Sequence, residues 1–159
     1  MTSARVSRCH LVSLLNGLYL ILDERWSSRC SLLEVLREAG QAGVKLAQYR
    51  NKTGSMRDAY EVARPLREIA KEWGMMFFVN DRCDLAMAVE ADGVHLGQTD
   101  LPIALARNLV GEGMLIGSSR TTCNKCKRQR KRGQIIWGSD PFSLLIPSRT
   151  TILWWEFRV

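Results

Sequence analysis

The sequence predicts an α/β fold in which short, apolar, parallel strands alternate with amphipathic helices. Five apolar runs of four to six residues recur along residues 17–119, and four stretches with helical apolar spacing lie between them. Short loops join these segments, and this alternation is typical of a parallel sheet covered by helices. The count does not decide between an open sheet and a barrel, because five units fall short of a full eight-stranded barrel.

The predicted strands are the five apolar runs. In chain order they are Gly17–Leu22, Val44–Gln48, Met75–Val79, Gly93–Leu96 and Met114–Gly117. The predicted helices are set by apolar residues three or four positions apart, with glycine or proline near several of their ends. They cover residues 32–39, Met56–Trp73, Asp84–Ala91 and Leu101–Leu109. Pro65 lies inside the second helix and predicts a kink there.

The composition indicates a reduced protein with one sizeable hydrophobic core. The chain has 159 residues, and no apolar run approaches the roughly 18 residues of a membrane span. The run Leu11–Leu15 is too short for the core of a signal peptide. Five cysteines at irregular spacing argue against a disulfide framework. We therefore expect a cytoplasmic protein with free thiols and no membrane partner.

The net charge of +7 lies entirely in the last quarter of the chain. Residues 1–119 contain 14 Lys or Arg and 14 Asp or Glu, whereas residues 120–159 contain 9 and 2. Three of the five Trp residues also lie in the second segment. We therefore divide the chain into an organised part, residues 17–119, and a basic, tryptophan-containing tail, residues 120–159.

Asp81 and Asp100 are the most informative acidic residues, because each follows the end of an apolar run. In a parallel sheet, the loops after the carboxyl ends of the strands form one edge, where ligands bind. Two carboxylates at that edge suit a hard divalent cation, which would in turn bind a diphosphate. The alternative is that both residues are helix N-caps, since each precedes a stretch with helical spacing.

Two cations follow the second predicted strand and are expected at the same edge. Arg50 and Lys52 are two positions apart, so a strand end would direct both side chains to one side. Fixed cations beside metal-binding carboxylates suit a diphosphate leaving group. Taken alone, Arg50 and Lys52 have the alternative of being two solvated charges at a strand end. The convergence of these two cations with the two carboxylates favours a binding site.

Four segments of the chain resemble the family of thiamine phosphate synthase and the related thiazole tautomerase. They are Gly17–Asp23 (GLYLILD), Gln48–Lys52 (QYRNK), Val79–Ala86 (VNDRCDLA) and Ala91–Pro102 (ADGVHLGQTDLP). The spacing between these segments also matches the family. The resemblance covers about two-thirds of the chain. It implies part of a (β/α)8 TIM barrel, with about five βα units followed by a non-native C-terminal tail.

The resemblance implies a transferase of thiamine biosynthesis that joins aminopyrimidine (hydroxymethylpyrimidine) diphosphate to thiazole phosphate. The products are thiamine phosphate and diphosphate. Arg50 and Lys52 would act on the leaving group, and Asp81 and Asp100 would bind Mg2+. The residues implied to bind the pyrimidine substrate are Gln48, Tyr49, Arg50, Asn51, Lys52, Asn80 and Ser119.

Two other functions remain open beside the synthase. One is a thiazole tautomerase-like relative, although Arg50, Lys52 and Asn80 favour the synthase, because the tautomerase branch generally lacks the diphosphate-binding set. His95 is a tempting base, but the synthase motif has a histidine at this position too. The other function is a nonenzymatic binder that uses the basic tail on nucleic acid, which we do not favour because any such tail attracts phosphate nonspecifically.

The motif resemblance ends after Ser119. Cys123 and Cys126 form a CxxC, but a zinc site needs a second ligand pair, and both histidines of the chain lie far upstream. We predict instead that the tail is a frameshifted reading of the family sequence. In the overlapping frame after Arg120, permitted codons spell a helix-like segment, then Gly-Pro-Ile-Phe and Thr-x-Thr-Lys.

A frameshift would replace the remaining units of the barrel with unrelated residues. We therefore predict an open sheet with two exposed strand edges and an exposed apolar face where helices are missing. Apolar tail residues such as Ile135 and Trp154 can cover part of this surface, but they are not patterned for it. Such a product is expected to be inactive and prone to low stability or aggregation.

Overall fold

Five parallel strands alternate with four helices along residues 17–120, as the sequence predicts. A computed structural model of the chain describes residues 17–25, 30–120, 135–138 and 151–155. The strands are β1 (Gly17–Asp23), β2 (Leu46–Arg50), β3 (Met76–Asn80), β4 (Gly93–Leu96) and β5 (Leu115–Arg120). The helices between them are α1 (Leu32–Gln41), α2 (Met56–Glu72), α3 (Cys83–Ala88) and α4 (Ile103–Val110).

Local signals set the ends of the helices. Ser55 and Asp58 form a reciprocal capping box at the start of α2, in which each side chain accepts a hydrogen bond from the other residue's backbone N–H. The same helix continues through Pro65 to Glu72. Helix α3 ends three residues before the predicted Ala91. Glu90 has a φ of 52°, a left-handed conformation that does not continue a helix.

Strand β2 lies two residues later in the chain than predicted. Its parallel ladder with β1 runs from the pair Tyr19 and Leu46 to the pair Asp23 and Arg50. The strand therefore includes Tyr49 and Arg50, which the sequence analysis placed after the strand end. Because side chains alternate between the faces of a strand, this register decides which of these residues face the helices.

The helices pack on one face of the sheet, which we call the outer face, and the opposite face is the inner face. Alternate strand residues such as Leu22, Tyr49 and Val79 form the main core against the helices. A smaller cluster of Tyr19, Leu46 and Phe78 lies on the inner face. The rings of Tyr19 and Phe78 meet edge to face, with centroids 6.0 Å apart.

Two short tail segments extend the sheet, which the sequence analysis did not predict. Strand β6 (Ile135–Gly138) pairs parallel with β5, and β7 (Thr151–Trp155) pairs antiparallel with β1. The strand order is β6-β5-β4-β3-β2-β1-β7. The prediction that β1 and β5 have unpaired edges is therefore wrong. Both segments are rich in β-branched and aromatic residues, and pairing with a strand edge satisfies backbone groups without requiring a matched side-chain pattern.

The inner-face cluster is buried, whereas the exposed apolar face that is predicted where helices are missing stays a prediction. Tyr19, Leu46 and Phe78 are at most 2% exposed. Large exposed apolar side chains do occur on the helices, notably Leu105 and Leu109 of α4. No helix in the described ranges is long and apolar enough to cross a membrane. Cys30 and Cys83, the two cysteines within those ranges, are free thiols.

Candidate active site

The carboxyl ends of the parallel strands bring most of the predicted site residues to one edge of the sheet. The register places Asp23 opposite Arg50 and Asn80 opposite His95. His95 in turn lies opposite Gly117, two residues before Ser119. The topology of the sheet thus assembles these residues from segments that are far apart in the chain.

Arg50 forms an ion pair with Asp23 across β1 and β2. The Asp23 carboxylate is 9% exposed and also accepts hydrogen bonds from Arg25 Nε at 3.1 Å and Arg25 Nη2 at 2.8 Å. Burial raises the pKa of the Asp23 carboxyl, but the hydrogen bonds from Arg25 and Arg50 outweigh burial and lower this pKa below its usual value. Asp23 is therefore an ionised carboxylate held between two guanidinium groups.

Lys52 forms an ion pair with Asp81, on the opposite side of β2 from Asp23. Arg50 and Lys52 therefore lie at the same edge, as predicted, but they contact the ends of different neighbouring strands. The two ion pairs place four charges around the carboxyl end of β2.

Asp81 and Asp100 lie close enough for their carboxyl groups to share a hydrogen bond. Burial, and then this hydrogen bond, raise the pKa of Asp81. Burial also acts to raise the pKa of Asp100, but hydrogen bonds from Asp81 and from the Gly97 N–H at 2.6 Å lower it overall. Of the two carboxyl groups, Asp81 therefore takes up a proton more readily than Asp100 as the pH falls.

The alternative that Asp81 and Asp100 are helix N-caps is wrong. The N-cap of α3 is Arg82 and that of α4 is Pro102, and neither makes a side-chain cap hydrogen bond. Asp81 instead has a φ of 62°, and its N–H donates to the His95 carbonyl at 2.8 Å. A non-glycine residue in this conformation is uncommon and is found often at functional sites.

The carboxylate pair fits a hard divalent cation. Two adjacent carboxylates repel each other when both are ionised, and a divalent cation bound between them would remove that repulsion. Within the described ranges, no cluster of three or more His, Cys, Asp or Glu side chains forms a metal site. The two carboxylates would be the donors from these ranges of the protein, and substrate phosphates and water commonly complete such sites for Mg2+.

Gln48, His95 and Ser119 provide polar groups on the inner face. Gln48 is 3% exposed and donates to the Tyr19 hydroxyl at 2.7 Å. His95 Nε2 lies 2.7 Å from Ser119 Oγ. Burial lowers the pKa of His95 to about 4, against the opposing effect of the Asp100 charge. The imidazole is therefore neutral at physiological pH.

Tyr49 and Asn51 contribute to the structure of the edge rather than to the inner face. The Tyr49 ring belongs to the core against the helices, and its hydroxyl donates to Glu24 Oε1. Asn51 Nδ2 donates to Glu24 Oε2 at 2.6 Å. Burial and then the hydrogen bond with Glu24 raise the pKa of the Tyr49 hydroxyl. The predicted contacts of Tyr49 and Asn51 with the substrate stay predictions.

A cavity of about 220 Å³ opens beside this edge, between β2, β3 and helices α2 and α3. Its lining combines charged and apolar side chains and contains several of the predicted site residues. The lining residues are Tyr49, Asn51, Lys52, Gly54, Ala59, Val79, Asn80, Asp81, Arg82 and Leu85. Asn80 and Asp81 thus lie together with Lys52 around one opening.

Sequence reasoning missed Asp23, Glu24 and Arg25 as residues of the site. Asp23 ends the first strand and Glu24 and Arg25 follow it, as Asp81 follows the third strand, so their position at the carboxyl edge could be read from the sequence. Their contacts with Arg50, Tyr49 and Asn51 were not available, because these depend on the register between β1 and β2.

Comparison with known proteins identifies relatives of the chain. The sequence model of the family described as thiamine monophosphate synthase matches residues 18–137, so the similarity extends past Ser119, where the motif resemblance ends. The thiamine-phosphate synthase of Syntrophomonas wolfei is 40% identical over 125 residues, which are 79% of this chain and 60% of that protein. The thiamine-phosphate synthase of Synechocystis is 43% identical over 125 residues, 79% of this chain and 35% of that protein.

A solved structure shares the fold. The thiamine phosphate pyrophosphorylase from Pyrococcus furiosus superposes with a TM-score of 0.68 and 32% sequence identity, over 77% of this chain and 60% of that one. The chain therefore spans about three-fifths or less of the relatives named here.

Proposed function

The chain belongs to the thiamine monophosphate synthase family, and from this membership we propose that its carboxyl edge binds the diphosphate of an aminopyrimidine diphosphate together with Mg2+. The reaction of the complete protein is proposed to be the transfer of the pyrimidine to thiazole phosphate. The observation that carries this proposal is the arrangement of Arg50, Lys52, Asp81 and Asp100 at a single edge of the sheet.

The proposed reaction needs charge neutralisation on the leaving group. The bond between the pyrimidine methylene carbon and the diphosphate oxygen breaks, and its electron pair leaves with the diphosphate. The thiazole nitrogen then donates its lone pair to the methylene carbon and forms the new C–N bond. Arg50 and Lys52 are placed to bind the diphosphate oxygens as charge accumulates there. Mg2+, when held by Asp81 and Asp100, would supply further positive charge to the same group.

Residues on the inner face are proposed to bind the pyrimidine ring of the substrate. Gln48, Asn80 and Ser119 offer amide and hydroxyl groups for a polar aromatic ring, in accordance with the family resemblance. A neutral His95, whose pKa burial lowers to about 4, adds no positive charge beside a pyrimidine that develops cationic character. These residues therefore position the pyrimidine without opposing its ionisation.

The chain spans about three-fifths or less of the relatives' length, so the activity of this product is a separate proposal. The family segment with Gly-Pro-Ile-Phe and the substrate-binding lysine is absent from the written frame, and we propose that a frameshift near residue 120 accounts for this. We therefore propose that the chain retains binding of the diphosphate substrate but not the transfer to thiazole phosphate. Cytoplasmic localisation stays an expectation from the sequence.

The experiment that tests this proposal compares binding with turnover. Isothermal titration calorimetry should detect binding of the aminopyrimidine diphosphate in the presence of Mg2+, whereas an assay for thiamine phosphate should detect no product. A gene with one base inserted or deleted near codon 120 should encode a longer protein that forms thiamine phosphate. Failure of the chain to bind the diphosphate substrate with Mg2+ would contradict the proposal.

A further inference from the structure

Asp23, the last residue of β1, and Glu24, which follows it, contact residues 49–51 at the end of β2, beside both candidate phosphate-binding cations. Neither residue has a role in the family resemblance described above. Asp23 contacts Arg50 directly, and Glu24 contacts Tyr49 and Asn51, which flank Arg50 and precede Lys52. The two adjacent carboxylates thus reach the segment from 49 to 51 from the neighbouring strand.

Arg25 fixes the position of the Asp23 carboxylate independently of Arg50. Arg25 donates to it from the backbone N–H at 3.1 Å, from Nε at 3.1 Å and from Nη2 at 2.8 Å. Arg50 donates to the same Oδ2 that accepts from Arg25 Nη2. The Arg50 side chain is 26% exposed, so its guanidinium lies partly at the surface, where an anion can reach it. Charge-assisted hydrogen bonds of this kind fix the orientation of a guanidinium.

Glu24 fixes the start of the turn that carries Lys52. Its Oε2 accepts from Asn51 Nδ2 at 2.6 Å, while Asn51 Oδ1 accepts from the N–H groups of Thr53 at 3.0 Å and Gly54 at 2.8 Å. This is an Asx-type turn, in which a side-chain oxygen satisfies the next backbone donors. Lys52 lies inside this turn and reaches Asp81.

We infer that Asp23 and Glu24 are positioning residues for the diphosphate-binding cations, Asp23 acting through Arg50 and Glu24 acting through Asn51 on the Lys52 turn. The identity of the ligand rests on the proposed function, whereas the effect on Arg50 and Asn51 does not. Simple electrostatics predicts the opposite sign, because removing a carboxylate from an anion site strengthens the attraction of the anion. Weaker diphosphate binding after removal of a carboxylate therefore indicates positioning, and tighter binding indicates an effect of charge alone.

The binding test uses inorganic diphosphate with Mg2+ and isothermal titration calorimetry. Asp23→Asn and Glu24→Gln keep the shapes of the side chains, and we expect each to weaken binding about tenfold, the scale of one charge-assisted hydrogen bond. Asp58→Asn is the matched control, because Asp58 lies near Tyr49 at the start of α2 and its amide can retain the capping contact. We expect this variant to bind as tightly as the parent or more tightly.

A double-mutant cycle tests whether Asp23 acts through Arg50. If it does, Asp23→Asn has little further effect on diphosphate binding in an Arg50→Ala background. An undiminished effect in that background, or tighter binding by Asp23→Asn alone, would overturn the assignment of Asp23. Tighter or unchanged binding by Glu24→Gln would overturn the assignment of Glu24. Melting temperatures of all variants establish that they are folded.

A ligand-independent measurement keeps this inference separate from the proposed function. In nitrogen-15 NMR spectra, the Arg50 guanidinium should give distinct, slowly averaging Nη signals that collapse in Asp23→Asn, and the Asn51 side-chain amide should lose its protection from hydrogen exchange in Glu24→Gln. If diphosphate fails to bind the parent chain but these signals change, the proposed function is wrong and the positioning roles stand. If the signals are unaffected, the positioning roles are wrong.

Discussion

His95 Nε2 and Ser119 Oγ lie 2.7 Å apart and join the inner faces of β4 and β5. The imidazole is 8% exposed, and burial lowers its pKa from 6.5 to about 4. Because the unfolded chain takes up a proton on this histidine at a higher pH than the folded chain, His95 destabilises the fold as the pH falls from 6.5 towards 4.

Replacement of His95 tests this pH dependence. Both proteins should lose free energy of unfolding between neutral pH and about pH 4, and His95→Gln should lose less than the parent. The difference is at most about 1.4 kcal/mol for each pH unit by which folding lowers the pKa of His95. Denaturant unfolding across that pH range measures the difference. The effect of the carboxylates is common to both proteins and cancels when their pH dependences are subtracted. Equal slopes for parent and variant would show that His95 titrates normally.

Asp81→Asn should weaken ligand binding without lowering the stability of the fold. The raised pKa of Asp81 means that its ionisation opposes folding, so its contribution to stability declines as the pH rises through the folded-state pKa. Asn tolerates the φ of 62° and removes one of the two carboxylates. We expect a melting temperature at least equal to that of the parent at neutral pH, with loss of Mg2+-dependent diphosphate binding. Asp81→Val should instead lose about 1–2 kcal/mol of stability through backbone strain.

Arg67 anchors the opposite end of the sheet. It donates to both carboxylate oxygens of Asp92, at 2.8 and 3.1 Å, and to the Glu90 carbonyl at 2.9 Å, while Asp92 also accepts from the Phe77 N–H at 2.8 Å. Arg67→Ala should reduce the free energy of unfolding by about 2–3 kcal/mol, because it leaves a partly buried carboxylate with fewer donors. Arg37→Ala on the exposed side of α1 is the control and should cost less than about 0.5 kcal/mol.

Gly93 allows β4 to approach the inner-face cluster. A Cβ at this position would lie 2.3 Å from Phe78 Cε1 and 3.0 Å from the Leu115 carbonyl oxygen, so Gly93→Ala forces the ring or the strand to move. We expect a loss of about 1–3 kcal/mol in denaturant unfolding. Gly113→Ala is the control, since a Cβ there would contact nothing within 4 Å. A neutral Gly93→Ala would show that Phe78 repacks freely.

Removal of β7 tests whether the tail protects the β1 edge. Strand β7 pairs with Gly17–Ile21 of β1, so deletion of residues 151–159 leaves that edge without its antiparallel partner. We expect concentration-dependent self-association, because unpaired strand edges pair with other chains. Light scattering after size-exclusion chromatography measures the mass of the parent and the deletion variant. A deletion variant that stays monomeric at the highest concentration of the parent would contradict this role.

The sequence by itself determined the five parallel strands, the four helices between them and the edge at which the charged residues gather. The apolar runs and the helical spacing are local patterns, and a strand end or helix cap depends on residues close in the chain. This is why Met56–Glu72 and Gly93–Leu96 match their predicted positions within one residue. The placement of Arg50, Lys52, Asp81 and Asp100 at one edge follows from the same local pattern and from the parallel connection of the strands.

The tertiary structure alone decided which of these residues contact one another. The extension of β2 to Arg50 makes Tyr49 a strand residue that packs against the helices and places Arg50 opposite Asp23, because the register of a ladder depends on the fit of two whole strands. The contact of Asp81 with Asp100 and the pairing of the tail strands with β1 and β5 likewise join segments with no sequence pattern in common. Such contacts depend on the three-dimensional packing of the sheet, which local periodicity does not encode.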